Sequence, residues 1–238
     1  MPTTTDQGPA PWLTALAWVA LGVAFLSAAW MVVDIRVRGH RQRMPVMEWV
    51  WPVTGLYLGP VAVWGYRRFG RPMSPAWLKR AGLERPPQKP RWATIAVGVS
   101  HCGAGCTLGD IIAEWAIFAL GWTIAGEALF AEYVGDYLLA VLLGLVFQYF
   151  AIAPMRGLSL GAGIRAAAKA DILSLTAFEV GLFGWMALQA FVLFPAPHHL
   201  HPDSPVYWFG MQIGMTLGFL TAYPVNAWLI RAGIKEAM

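Results

Sequence analysis

Charge is what this chain has least of. Only 13% of its 238 residues are Asp, Glu, Lys or Arg, roughly half the share found in soluble domains, while 58% are hydrophobic. A soluble fold has too little interior to hide so much apolar surface, which excludes a cytosolic, secreted or disordered protein. Cysteine is scarce too. Cys102 and Cys106 are the only two, four apart inside an apolar stretch, so the disulfide framework of a small secreted domain is excluded. The first eleven residues hold no Lys or Arg, so the positive start of a signal peptide is missing and the first hydrophobic segment is expected to be retained. The chain has no Gly-rich phosphate loop, no Gly-x-Ser-x-Gly, no His-Glu-x-x-His and no Cys-x-x-Cys-His. Nucleotide hydrolysis, serine or zinc proteolysis and c-type haem attachment are left without support. No catalytic motif is recognised, which favours a non-enzyme and leaves a small membrane oxidoreductase or a proton-coupled transporter of an organic solute as a third class.

What is present is apolar length. Six hydrophobic segments run at about 12–33, 47–66, 92–122, 137–154, 171–194 and 207–230, several of them close to the roughly 20 residues that a bilayer core demands of a helix. Ten-residue alternating strands are absent, and open sheets cannot sit in lipid because their edge amides would lack partners. The expectation is an all-α membrane protein, a single polytopic helical bundle of about six transmembrane segments over residues 1–238, in contact with the lipid bilayer. Trp12, Trp49, Trp51, Tyr66, Trp92, Trp122, Tyr137 and Trp208 lie near segment ends, as interfacial aromatic belts require.

The net charge of +4 comes from 17 basic residues against 13 acidic ones. Four basic residues lie in 34–46, eight in 67–91, three in 155–170 and two after Ile230, with none in 123–136 or 195–206. This is the signature of topology, not of nucleic-acid binding. It places the basic, Pro-rich connector 67–91, the connection 155–170 and the C-terminus in the cytoplasm. Six full crossings then leave Arg36, Arg38, Arg41 and Arg43 outside, against the rule. The alternative is that 47–66, with Pro52, Gly55, Gly59 and Pro60, enters and leaves on the cytoplasmic side. Six crossings is the favoured expectation.

The third segment carries the chemistry. At about 100° per residue, Cys102, Cys106, Asp110 and Glu114 follow each other at i+4 steps and form one stripe. His101 lies about 100° away from Cys102, partly off that stripe unless Gly103, Gly105 and Gly109 allow a distortion. Thiols, an imidazole and carboxylates are costly in hydrocarbon and usually face a bundle interior or a wet cavity. Thiolate and imidazole suit Cu(I) or Zn(II), while carboxylates suit a harder cation or a proton relay. Each i+4 step rises about 6 Å, so at most two adjacent stripe members share one ion, such as Cys102 with Cys106. The bland reading is that Cys102, Gly105 and Gly109 are small residues for close helix packing.

Other polar groups fall at membrane depth. Glu179 is the best partner for the stripe, and Asp171, at the apparent start of the fifth segment, reads as a cap on the positive end of that helix. Met211 and Met215, one turn apart, are paired thioethers of the kind Cu(I) accepts, or ordinary core methionines. His198, His199 and His201, with Asp203, form a short His-rich tract in an outer connection, a weak metal signal or simply an exposed loop. Glu127, Glu132 and Asp136 in the other outer connection read as a cation-attracting rim.

Three stretches carry a resemblance. They are Trp51-Pro52-Val53-Thr54-Gly55-Leu56-Tyr57-Leu58-Gly59-Pro60, the Ser100-His101-Cys102-Gly103-Ala104-Gly105-Cys106 segment, and Gly218 to Asn226 with Tyr223-Pro224-Val225-Asn226, followed by Gly233-Ile234-Lys235. Together they resemble, from about Asp34 to Met238, a bacterial integral-membrane family catalogued only as a domain of unknown function. The resemblance implies a multi-span helical protein of the bacterial inner membrane and supplies no activity. On chemistry alone, the leading expectation is a protein that binds or transports a transition metal, copper or zinc. His101, Cys102 and Cys106 would be ligands, Asp110, Glu114 and Glu179 would balance charge or carry protons, and Met211 and Met215 would relay. The alternative is an accessory or assembly subunit of a membrane complex, or a homo-oligomer, whose polar groups fasten helices together.

Overall fold

The computed structural model describes residues 8–235, and the chain is helical almost throughout. Its α-helices are α1 (Pro11–Arg36), α2 (Met47–Leu58), α3 (Pro60–Gly65), α4 (Pro75–Ala81), α5 (Arg91–Leu120), α6 (Ala128–Arg156), α7 (Leu160–Leu188) and α8 (Pro205–Arg231). No strand occurs among the described residues, which confirms the helical bundle. Proline opens several helices where its missing N–H costs nothing. Pro75 and Pro205 follow Ser74 and Ser204, whose hydroxyls accept from the Trp77 and Val206 amides at 3.3 Å.

Among the described residues five helices, not six, are long and apolar enough to cross a membrane: α1, α5, α6, α7 with its continuation to Leu193, and α8. The segment 47–66 is broken. Gly59 takes φ +51°, a conformation that L side chains rarely adopt, and Pro60 cannot donate to the preceding turn, so α2 stops and α3 begins in a new direction. The short helices continue into a π turn (Tyr66–Gly70) and a 3-10 turn (Arg71–Met73). Arg71 comes back beside the end of α1, with its Nε 3.3 Å from Asp34 Oδ2 and 3.2 Å from His40 Nε2. Tyr66 OH donates to Asp34 at 2.9 Å. The connections 37–46 and 67–71 therefore lie at one end of the bundle, and α2 with α3 form a re-entrant hairpin. The expectation of six full crossings gives way to five, because a break at mid-depth turns the chain around.

Two boundaries also move. α6 begins at Ala128 and α7 at Leu160, about nine and eleven residues before the hydropathy segments. Asp171 is consequently three turns inside α7 and not a cap at its start. With five crossings and one hairpin, all 17 basic residues of the chain fall toward one end.

α5 is the axis of the bundle, buried along most of its length and packed against α6, α7, α8 and α2. Its contact with α6 is close because of glycine: a Cβ on Gly105 would lie 2.7 Å from Gly144 Cα, and one on Gly109 2.6 Å from Ala140 N. The small-residue reading of these two positions is correct. On the outside, α1 exposes Trp18, Phe25 and Leu26, the apolar surface that lipid contact requires.

Candidate cation pathway

Every stripe residue faces inward. Cys102, Cys106, Asp110 and Glu114 are fully buried, and α5 runs unbroken through them. His101 is equally buried without any distortion of the helix, its ring edge-on to Phe147 of α6 at 6.2 Å. Glu179 of α7 completes the row. It interacts with Cys106 and with Asp110.

Traced along the bundle, the titratable groups form a file. Glu114 faces Tyr207 of α8 and Asp136 of α6. Asp136 also senses Asp110 and Glu179, Glu179 reaches Cys106, and Cys106 neighbours Cys102. Cys102 Sγ accepts from Ser174 Oγ at 3.3 Å, and Ser174 in turn accepts from the Asn226 amide. One turn before Ser174, Asp171 is paired with Lys235 at 3.0 Å. Tyr57, near the tip of the hairpin, presents a buried hydroxyl toward both thiols. Gly103 makes room for it, since a Cβ there would lie 3.0 Å from that hydroxyl and 2.8 Å from the Phe178 ring.

Four carboxyl groups of the file have no N–H or O–H donor in good hydrogen-bond geometry, and their nearest polar neighbours are one another, Tyr207 and Cys106. Both oxygens of Asp110, Glu114, Asp136 and Glu179 are buried without a hydrogen-bond partner among the described residues, as are both ring nitrogens of His101. Interhelical fastening is done by other groups. Tyr133 OH donates to Phe183 O at 2.8 Å, Thr221 Oγ1 to Ala177 O at 2.6 Å, Gln212 Nε2 to Leu56 O at 2.7 Å and Tyr223 OH to Trp92 O at 3.2 Å.

At the end away from the basic residues, the file meets a small cavity of about 50 Å³ lined by Glu127, Glu132, Gln189, His199, His201, Tyr207 and Met211, among others. Two of the three histidines of the outer tract thus join the acidic rim. His198 is exposed and lines no part of it, and His201 stacks on Phe118 at 5.9 Å. Asp136 belongs inside the file, not on the rim, because α6 starts earlier than its charge pattern implied. Met211 lines the cavity and Met215 packs in the core one turn deeper. Among the described residues no three His, Cys, Asp or Glu side chains converge closely enough to hold a metal ion. The donors make a row, not a cage.

Sequence reasoning overlooked Tyr57, Tyr207, Ser174 and Lys235. Tyr207 was visible only as the first residue of the sixth segment, and Lys235 only as a basic residue after the last span and the end of the Gly233-Ile234-Lys235 motif.

A bundle of membrane-crossing helices around an interior row of carboxyl, thiol and imidazole groups defines the class: a multi-pass helical membrane protein with a polar core. The chain belongs to the family described as Domain of unknown function (DUF4396), matched over residues 91–235. The matched part contains the whole file from Glu114 to Lys235, while α1 and the hairpin with Tyr57 precede it. No curated protein and no solved structure matches the chain.

Proposed function

We propose that this protein relays a cation across the bacterial inner membrane through the interior of its bundle, and that the cation it relays is the proton. One observation carries the reading: four buried carboxyl groups on α5, α6 and α7 stand in a row, with no conventional donor on their oxygens and with one another, Tyr207 and Cys106 as neighbours. Ionisable groups at membrane depth mark ion pathways and proton relays. A fastening role is already filled by Tyr133, Thr221, Gln212 and Tyr223, which weakens the accessory-subunit alternative. Proton transfer needs only neighbouring donors and acceptors, which a row supplies, whereas a resident metal needs ligands that converge. The positive-inside rule puts the end bearing the basic residues, with the C-terminus, in the cytoplasm and the Glu127–His201 cavity outside.

A second reading has its own support. His199, His201 and Met211 around one cavity, with thiols deeper in, are donors that Cu(I) or Zn(II) accept, so a transition metal is the competing cargo.

Purified protein in proteoliposomes loaded with a pH-sensitive dye separates them. The proton reading expects voltage-driven pH change that Asp110→Asn and Glu114→Gln each reduce by about a hundredfold. Absence of any flux in the wild type overturns it. Stoichiometric copper or zinc by mass spectrometry, lost in Cys102→Ala and Cys106→Ala, would favour the metal.

A further inference from the structure

Past the end of α8 the chain doubles back. Gly233 takes φ +68°, and the Ile234 and Lys235 amides both donate to Leu229 O, at 3.0 and 3.3 Å. This fold sends the Lys235 side chain into the bundle, where its ammonium is 3.0 Å from Asp171 Oδ1 and both side chains are fully buried. A lysine after a last span ordinarily reaches for headgroups and water, because burying an ammonium costs several kcal/mol. This one ends among the groups at the inner end of the file. His101 senses both Asp171 and Lys235, and Lys235 senses Cys102 and Cys106.

The surroundings are built for a cation. Asp171 Oδ2 is buried with no hydrogen-bond partner among the described residues. It rests against α6 at Gly144, where a Cβ would lie 3.3 Å from it. The two ring nitrogens of His101 are likewise buried and unpartnered, and Asn226 Oδ1 is unpartnered on the facing helix. The pair is not needed to fasten α7 to α8, which Thr221 already joins through Ala177 O.

We propose that Asp171, with His101, Cys102, Ser174 and Asn226 around it, is the inner cation site of the pathway, and that the protein's own Lys235 ammonium occupies it as a tethered competitor. A small cation reaching the file from the basic end has to displace that ammonium. The turn Gly233 to Lys235 is then the inner gate, and its departure exposes Cys102. The inference deepens the relay reading by naming the inner station, but its test reads the site and not the flux.

The test uses Cys102 as reporter in a Cys106→Ala background, with aminoethyl methanethiosulfonate as a cationic reagent and sulfonatoethyl methanethiosulfonate as an anionic one. Replacing Lys235 by Ala is expected to raise the rate of Cys102 modification by the cation by about tenfold, with the anion little changed, because a vacated carboxylate concentrates cations. Lys235→Arg is expected to stay closed. Adding Asp171→Asn to Lys235→Ala should bring the two reagents to equal rates. Free propylammonium should protect Cys102 in Lys235→Ala, standing in for the lost side chain. Equal acceleration of both reagents, or no acceleration, overturns the proposal. Should Lys235→Ala fail to purify as a folded protein, recovery in propylammonium but not in equal sodium chloride supports the site, and recovery in neither overturns it. A gate that behaves as expected beside a wild type without flux would retain the site and discard the relay.

Discussion

The Nε of Arg71 lies 3.3 Å from Oδ2 of Asp34, so the turn after α3 is held against the end of α1. The contact brings the connections on either side of α2 and α3 together, because two residues in an ion pair lie at the same depth. It expects single cysteines at Gly39 and at Gln88 to react with a membrane-impermeant maleimide from the same side, and one at His198 from the other. Labelling of Gly39 together with His198 would mean that the hairpin crosses after all.

The same cluster has a pH dependence. His40 Nε2 accepts from Arg71 Nε at 3.2 Å, and Nδ1 lies 3.3 Å from the Asp34 carbonyl, the pattern of a neutral imidazole. Burial holds the His40 pKa below its ordinary 6.5, with Asp34 opposing and Arg71 reinforcing the shift. The unfolded chain protonates this imidazole first as pH falls, so its contribution to stability is complete above 6.5 and is lost on acidification. The thermal midpoint in detergent should therefore fall between about pH 7 and about pH 5, and His40→Gln should flatten that slope. An unchanged slope in the variant assigns the acid sensitivity elsewhere.

Contact between α5 and α6 sets a third expectation. Gly109 has Ala140 N at 2.6 Å from where its Cβ would stand, and the neighbour is backbone, which cannot rotate away. Gly109→Val should cost about 3 kcal/mol or prevent folding. Gly184, in α7, has open space around it, and Gly184→Ala should be neutral or stabilise by about 0.5 kcal/mol. Similar effects at the two sites would show that packing does not govern the difference.

How much of this was legible before the coordinates depends on the range of the interaction. The inward stripe could be read from i+4 spacing alone, since helical periodicity and the cost of polar groups in lipid are local rules. The starts of α6 and α7 could not. Glu132 and Asp136, and then Arg165 and Lys169, were assigned to connections because hydropathy averages over charge, yet the helices run through all four. Pro52, Gly59 and Pro60 marked the hairpin as breakable, but the decision between crossing and returning rests on Asp34 and Arg71, which no window of sequence brings together. Lys235 had no local signal of burial. Its partner Asp171 lies on another helix, and only the tertiary fold shows that the tail turns inward.

The sharpest test of the site separates groups that hold helices together from groups that do not. Ser174 bonds both Cys102 and Asn226, so Ser174→Ala removes two partners at once and leaves one of the two Asn226 amide hydrogens unsatisfied, the other still donating to Ala222 O. A loss of about 2 kcal/mol is expected. Asp110, Glu114 and Glu179 have no donor in good hydrogen-bond geometry, so Asp110→Asn, Glu114→Gln and Glu179→Gln should leave the thermal midpoint level or raised while abolishing cation flux. The contrast is informative because all four positions are buried in the same bundle interior, and of them Ser174 alone bridges two neighbours in good hydrogen-bond geometry. If the carboxamide variants unfold as readily as Ser174→Ala, these carboxyl groups are structural and the relay loses its foundation. If they stay folded and flux persists, the cation takes another route through the bundle.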